Sequence, residues 1–239
     1  MRTAIVSAMR EELAAVLALM PDEHKQVVAG REFFVGHLHG HDVVAVLSRI
    51  GKVAAATTAT VLIERFHVGR IVFTGVAGGL GEGLNVGDIV IADSFLQHDL
   101  DASPIFPKYE VPLYGLSRFA TDAALSAKLA AAAARALPGV QLHRGLVVSG
   151  DRFVATTAES RSLQAALPEA LAVEMEGAAI AQVCHDFGVP FAAVRTVSDR
   201  ADDAAHGDFT TFIQEVASRH SAAIVEALLG GTISASRVS

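Results

Sequence analysis

Carboxylates are scarce in apolar sequence, yet the stretch from Ala172 to Asp202, AVEMEGAAIAQVCHDFGVPFAAVRTVSDRAD, sets Glu174, Glu176 and Asp199 among residues that otherwise read as buried core. Such acids, with Arg195 nearby, can move protons and stabilise a developing positive charge. The local pattern says how they would be held. Glu174 to Phe187 reads as a helix with its alanines, Ile180, Val183 and Cys184 facing inward, stopped by Gly188 with Pro190 two residues beyond. Phe191 to Val197 is an apolar run interrupted only by Arg195 and Thr196, the pattern of a central strand buried on both faces. It would end at Ser198 and Asp199, and open α/β sheets keep their ligand crevices at the carboxyl ends of their strands. Glu174 and Glu176 would lie at the helix entrance, where the helix dipole favours negative charge. Taken singly, each acid is accounted for as a helix cap or as a structural partner of Arg195.

The rest of the chain supplies the elements that would carry this stretch. Thr3 to Ser7 reads as a first strand, followed by Met9-Arg10-Glu11-Glu12 and a helical run from Leu13 to Met20 closed by Pro21. That layout presents Glu12 near a crevice, although two glutamates in a first helical turn are also ordinary dipole compensation. Val27 to Ser48 alternates as a hairpin turning near Gly40 to Asp42. His37, His39 and His41 share a face there, but no Cys or acid completes a metal set at convincing spacing. Arg49 to Val53 opens an alanine- and threonine-rich helix that reaches about Phe66. Arg70 to Thr74 is a buried strand running into a loop, Gly75 to Gly81. Its glycine spacing does not fit a dinucleotide fingerprint, and another strand, Asp88 to Ser94, follows where that motif needs a helix. Glycines there let the main chain approach a flat ligand closely.

Gln97 to Gly115 has neither helical nor strand periodicity, and loops of that length inside compact domains are usually functional. Its Ile105, Phe106, Tyr109 and Leu113 would be an apolar liability unless they pack on a second subunit. Thr121 to Leu137 reads as a helix capped by Thr121 and Asp122, and Val140 to Ser149 as a strand leading to Gly150-Asp151-Arg152-Phe153-Val154. Asp208 to Leu229 makes a final amphipathic helix, and 230–239 a flexible tail.

Composition bounds the function. With 239 residues, 51% hydrophobic and 19% charged, the chain suffices for one domain, placed at 1–229. A lone Cys184 on an inner helix face excludes a disulfide framework and reads as a packed, reduced thiol. The net charge of -7 argues against nucleic acid. The first apolar run is too brief for a signal peptide, and nothing approaches the ~20 apolar residues of a membrane span. A soluble cytoplasmic protein is expected, with no membrane partner.

The segment VEMEGAAIAQVCHDFGVPFAAVRTVSD resembles the signature of bacterial 5'-methylthioadenosine/S-adenosylhomocysteine nucleosidases, within the wider purine nucleoside phosphorylase-like family. AMREE, SRIGKVAAA, TGVAGGL and SGDRFV are similar to that family as well. The resemblance implies an α/β fold, a three-layer α/β/α sandwich around a twisted mixed, mostly parallel sheet. It implies a hydrolase of methionine salvage that releases adenine and needs no metal or organic cofactor. By the same resemblance Glu12 polarises the attacking water with help from Arg195, Asp199 protonates N7 of adenine, and Glu176 holds the ribose hydroxyls. Met175 would pack under the sugar beside Glu174 and Ser198, with Ile50, Val76, Ala77 and Gly78 lining the nucleoside pocket. Phe153 would stack on adenine, the main chain of Val154 would bind the base edge, and Phe209 would act as a lid. Phe106 and Tyr109, in a loop spanning 98–115, would close the neighbouring 5' pocket of a homodimer.

This set suits the chemistry. Breaking an N-glycosidic bond builds positive charge on the sugar and negative charge on the base, so it needs an acid for the base, carboxylates near the sugar and an oriented water. Glu12 would repel a phosphate dianion, which favours hydrolysis, while Arg49 keeps a phosphorylase open. Hydrolysis of 6-amino-6-deoxyfutalosine is the closer alternative. A non-catalytic nucleoside-binding protein would have no use for acids at all three of positions 12, 176 and 199. Val76, Arg10 and Arg152 depart from the family pattern.

Overall fold

Every second residue of a strand faces the same side of its sheet, and in this chain both sides are apolar. The structure, a computed structural model, describes residues 1–201, 212 and 216–230. Its first half runs β1 (Thr3–Ser7), α1 (Arg10–Leu17), β2 (His24–Val28), β3 (Arg31–Leu38), β4 (His41–Leu47), α2 (Lys52–Phe66), β5 (Arg70–Gly79) and β6 (Ile89–Gln97). The second half runs β7 (Arg118–Ala120), α3 (Ala123–Ala136), β8 (Leu142–Ser149), α4 (Thr157–Ala166), β9 (Ala170–Glu174), α5 (Gly177–Phe187), β10 (Phe191–Asp199) and α6 (Ser218–Gly230). Ala4, Val6, Val44, Val46, Ile71, Phe73 and Ala193 pack into one core with α2 and α5. Their neighbours Ile5, Val43, Ala45, Val72, Ala192 and Val194 pack into a second core with α1, α3 and α6. Helices thus cover both faces of the sheet, in the three layers expected. Cys184 lies in the first core, where burial pushes its thiol up to about 12 and makes it a packing group, not a nucleophile.

The sheet is mixed. One parallel set, β4-β1-β5-β10, and a second, β6-β8-β9, are joined by antiparallel pairings of β10 with β6 and of β5 with β9. Because β5 pairs with both β10 and β9, strands β5, β10, β6, β8 and β9 close into a ring. Glycine makes this closure possible. A Cβ on Gly78 would stand 3.0 Å from the Cβ of Ala201 and 3.1 Å from Oδ1 of Asp199, and one on Gly79 would stand 3.0 Å from Cγ1 of Val197. The segment read as a glycine loop is therefore the end of β5 as far as Gly79, a strand squeezed between two partners.

Other elements differ from the sequence reading for local reasons. Glu174 ends β9 by pairing with Ser149 and does not open a helix; α5 starts at Gly177, with Glu176 at its N-cap position. Helix α1 begins at Arg10, earlier than Leu13, because Glu12 folds back onto the Met9 amide and closes a capping box. The expected hairpin gains a third strand, β2, paired antiparallel with β3. Helix α4, capped by Thr156, and strand β9 are additional elements. The start of the final helix at Asp208, the lid residue Phe209 and residues 231–239 of the tail lie outside the described residues. Among the described residues no helix is long and apolar enough to cross a membrane.

Candidate active site

At the carboxyl ends of β5, β9 and β10 lies a cavity of ≈ 340 Å³. Five segments wall it: Ala8 and Met9 after β1, Ile50 before α2, Val76 to Gly78 on β5, Arg152 to Val154 after β8, and Val173 to Glu176 at the β9 to α5 junction. Ser198 and Asp199 complete it from β10. Two of its acids are set up differently. Both carboxylate oxygens of Asp199 are oriented by protein donors, Oδ2 by the Ser198 hydroxyl at 2.7 Å and Oδ1 by the Ala201 N–H at 2.7 Å. Glu176 accepts the Gly51 N–H on Oε1 at 2.8 Å. Burial, and then the nearby Glu174 charge, push the Glu176 carboxyl up to about 8.

Glu174 also reaches the cavity wall, but its carboxylate is already engaged. It accepts the Gly177 N–H on both oxygens at 2.9 Å, the Glu176 N–H at 3.2 Å, the Ser149 hydroxyl, and Nη2 of Arg195 at 2.9 Å. The helix-cap and ion-pair account of the acids therefore holds for Glu174. Arg195, in turn, lies with its guanidinium carbon 3.7 Å from the centre of the Phe73 ring and donates to the Val194 carbonyl at 3.1 Å. Both members of the pair are buried, at 1% and 4% side-chain exposure, so removing one leaves the other away from water without its partner. Arg195→Met is expected to lower unfolding free energy by about 3–5 kcal/mol at pH 7 by leaving the Glu174 charge uncompensated. Denaturant titration measures this, and a loss below about 1 kcal/mol contradicts the geometry.

Glu12 stands behind the cavity wall, fully buried. Its Oε2 accepts the Met9 N–H at 3.2 Å, while Oε1 has no partner among the described residues. Burial outweighs the pull of Arg195 and raises this carboxyl to about 7. Gly75, on β5, leaves room for both side chains: a Cβ there would lie 3.3 Å from Nη1 of Arg195 and 3.6 Å from Oε2 of Glu12. The fold thus gathers Glu12, Glu174, Glu176, Arg195 and Asp199 from three segments of the chain. Glu176 and Asp199 face the hollow, and Glu12 and Arg195 sit one layer deeper.

Known proteins carry the same arrangement of chain. Residues 2–230 match the family model described as the phosphorylase superfamily. The 5'-methylthioadenosine/S-adenosylhomocysteine nucleosidase of Shewanella denitrificans is 40% identical over 229 residues, covering 96% of this chain and 99% of the relative. That of Geobacillus thermodenitrificans is 41% identical over 231 residues, covering 96% of each. The chain belongs to this nucleosidase family. Among solved structures, the Neisseria meningitidis nucleosidase in complex with methylthio-immucillin-A aligns with a TM-score of 0.91 at 37% identity, over 96% of this chain and 99% of that one. The Helicobacter pylori futalosine hydrolase aligns with a TM-score of 0.89 at 34% identity, over 96% and 97%.

In this nucleosidase-family chain Ile50, Val76, Ala77, Gly78, Phe153, Val154, Glu174, Met175, Glu176, Ser198 and Asp199 all line the one cavity. Phe106 and Tyr109 do not line it; Tyr109 packs against the cluster of Leu80, Leu96 and Val148. Arg152 lines the cavity while its guanidinium pairs with Glu159 at the surface. Sequence reasoning missed a ring of hydrogen bonds beside the site. Lys52 Nζ donates to Asp99 at 2.6 Å, the Asp151 N–H donates to Asp99 at 2.8 Å, and the Lys52 N–H donates to Asp151 at 2.7 Å. It fixes the start of α2, next to the Gly51 N–H that holds Glu176. The signal available was the pairing of small or polar residues in Gly51-Lys52, His98-Asp99 and Gly150-Asp151 at three element ends.

Proposed function

We propose that the chain hydrolyses the N-glycosidic bond of 5'-methylthioadenosine and S-adenosylhomocysteine, releasing adenine and the 5-thioribose product. The observation that carries this reading is the placing of two differently held acids, Asp199 and Glu176, on one nucleoside-sized cavity, with a third of raised pKa directly behind it. Asp199, held by Ser198 and Ala201, delivers a proton to N7 so that adenine leaves neutral. Glu176, fixed by Gly51, binds the ribose hydroxyls and stabilises the cationic ribosyl centre. Glu12 uses Oε1, which has no partner among the described residues, to take a proton from the attacking water, and Arg195 keeps the neighbouring Glu174 in place. Phe153 stacks on the base, Val154 binds its edge through the main chain, and Met175 lies under the sugar. Residues 1–229 act as one domain.

Both Glu12 and Glu176 work ionised in this scheme, and both are protonated at low pH because their carboxyls titrate near 7 and 8. The value of kcat/KM is therefore expected to rise with pH through 7 to 8, and not to stay level once pH is high enough to strip the general acid of its proton. Initial rates from about pH 5.5 to about pH 8 check the rise, and a flat or falling profile over that range contradicts it.

The same proposal includes a cytoplasmic homodimer serving methionine salvage, in which the 98–115 loop with Phe106 and Tyr109 closes the neighbouring cavity. Its support is the apolar surface left in one chain: Ile105 is 82% exposed, Leu113 91%, and Ile50, on the cavity rim, 60%. A phosphorylase reading loses its cation, because Arg49 lines a separate cavity. The futalosine hydrolase likeness favours one second substrate, 6-amino-6-deoxyfutalosine. Adenine release from methylthioadenosine tests the choice. Turnover supports the proposal, whereas no release, with aminofutalosine cleaved, assigns the site to that nucleoside.

A further inference from the structure

A second cavity, of ≈ 560 Å³, lies between α1 and the β2 to β4 meander, and three arginines line it: Arg10, Arg31 and Arg49. Each stands there against its own local preference. Arg10 occupies the first turn of α1, where the helix dipole disfavours a cation. Arg49 holds a φ of 66°, a left-handed conformation that favours glycine. Among the described residues Arg31 is held by neutral acceptors, Thr58 at 2.9 Å and the carbonyls of Ala29 at 3.0 Å and Ala54 at 3.3 Å. Burial, and then the charge of Arg49, pull its guanidinium below the usual range, so the two cations repel across the groove. Among the described residues none of the three has a carboxylate partner, and the one acid in the lining, Glu32, is paired with Lys25 at 2.8 Å. Leu13, Leu17 and Phe34 form the apolar wall opposite.

Three cations on one cavity, without a counter-charge among the described residues, are accounted for together by an anion that bridges them. We infer that this groove binds a phosphate-bearing small molecule, with Arg10, Arg31 and Arg49 on the phosphate and the wall of Leu13, Leu17 and Phe34 along an apolar body. Guanidinium groups suit that task because their planar forks match phosphate oxygens two at a time. The site is separate from the nucleoside cavity but shares its partition, since Met9 and Ile50 line one side while their neighbours Arg10 and Arg49 line the other.

The test is calorimetric titration of the full-length protein with phenyl phosphate at an ionic strength fixed with potassium chloride. Saturable binding is expected, displaced by inorganic phosphate and not by adenine. The double variant Arg31→Gln/Arg49→Gln is expected to bind at least about tenfold more weakly. Removing Arg31 also takes away its bonds to α2, so Arg10→Gln, whose exposed side chain has no other partner among the described residues, gives an independent reading of about three- to tenfold weakening. No saturable binding at millimolar ligand, undiminished binding by both variants, or displacement by adenine overturns the inference.

Discussion

Asp199→Asn is expected to lower kcat by roughly 10²–10⁴-fold, the usual worth of a general acid, with KM much less changed. The substitution keeps size and shape, and the Ser198 hydroxyl and Ala201 N–H that orient the carboxylate sit at the end of β10 whichever side chain is present. The substitution leaves the other cavity walls, Phe153, Val154 and the β5 segment, untouched, so the proposed binding contacts and with them KM should hold. What is lost is the proton for the departing base. Steady-state rates on methylthioadenosine measure the effect, and near wild-type turnover would remove Asp199 from the chemistry.

Glu12→Gln should reduce kcat by a similar factor, roughly 10²–10⁴-fold, for the opposite reason: the proton acceptor for water is gone. This variant also separates function from stability. Ionising Glu12 in its buried place is unfavourable, as its pKa near 7 records, and a neutral amide escapes that penalty. Above pH 7 the variant is therefore expected to be as stable as the parent or more so, while its activity collapses. Denaturation and rate measurements on one preparation check both halves; a parallel loss of stability and activity would mark Glu12 as structural.

Much of this arrangement was legible in the sequence because certain residues answer to only one physical requirement. Strands β1 and β10 announced themselves as unbroken apolar runs, since both of their faces are buried. Helix α3 was readable from its alanines and from Asp122, which accepts the Leu125 N–H as a cap. Helix α4 left no comparable trace, because Ser160 is its one buried residue. The closure of the sheet was hidden for another reason. It rests on Gly78 and Gly79 meeting Val173 and Ala172, residues about a hundred positions apart with no local mark of their pairing. The acids could be named from motif wording, but their ranks could not. That Glu174 is spent on Arg195 and the start of α5, that Glu176 faces the hollow, and that Glu12 lies behind it are consequences of packing.

In the proposed mechanism water is the nucleophile, and the acids act on both sides of one bond. The direct measurement is to give the purified protein methylthioadenosine with and without inorganic phosphate, follow adenine release, and weigh the sugar product by mass spectrometry. The expected result is the same rate of release in both buffers, with free 5-methylthioribose as the sugar. Release that requires phosphate and yields a sugar phosphate would contradict it.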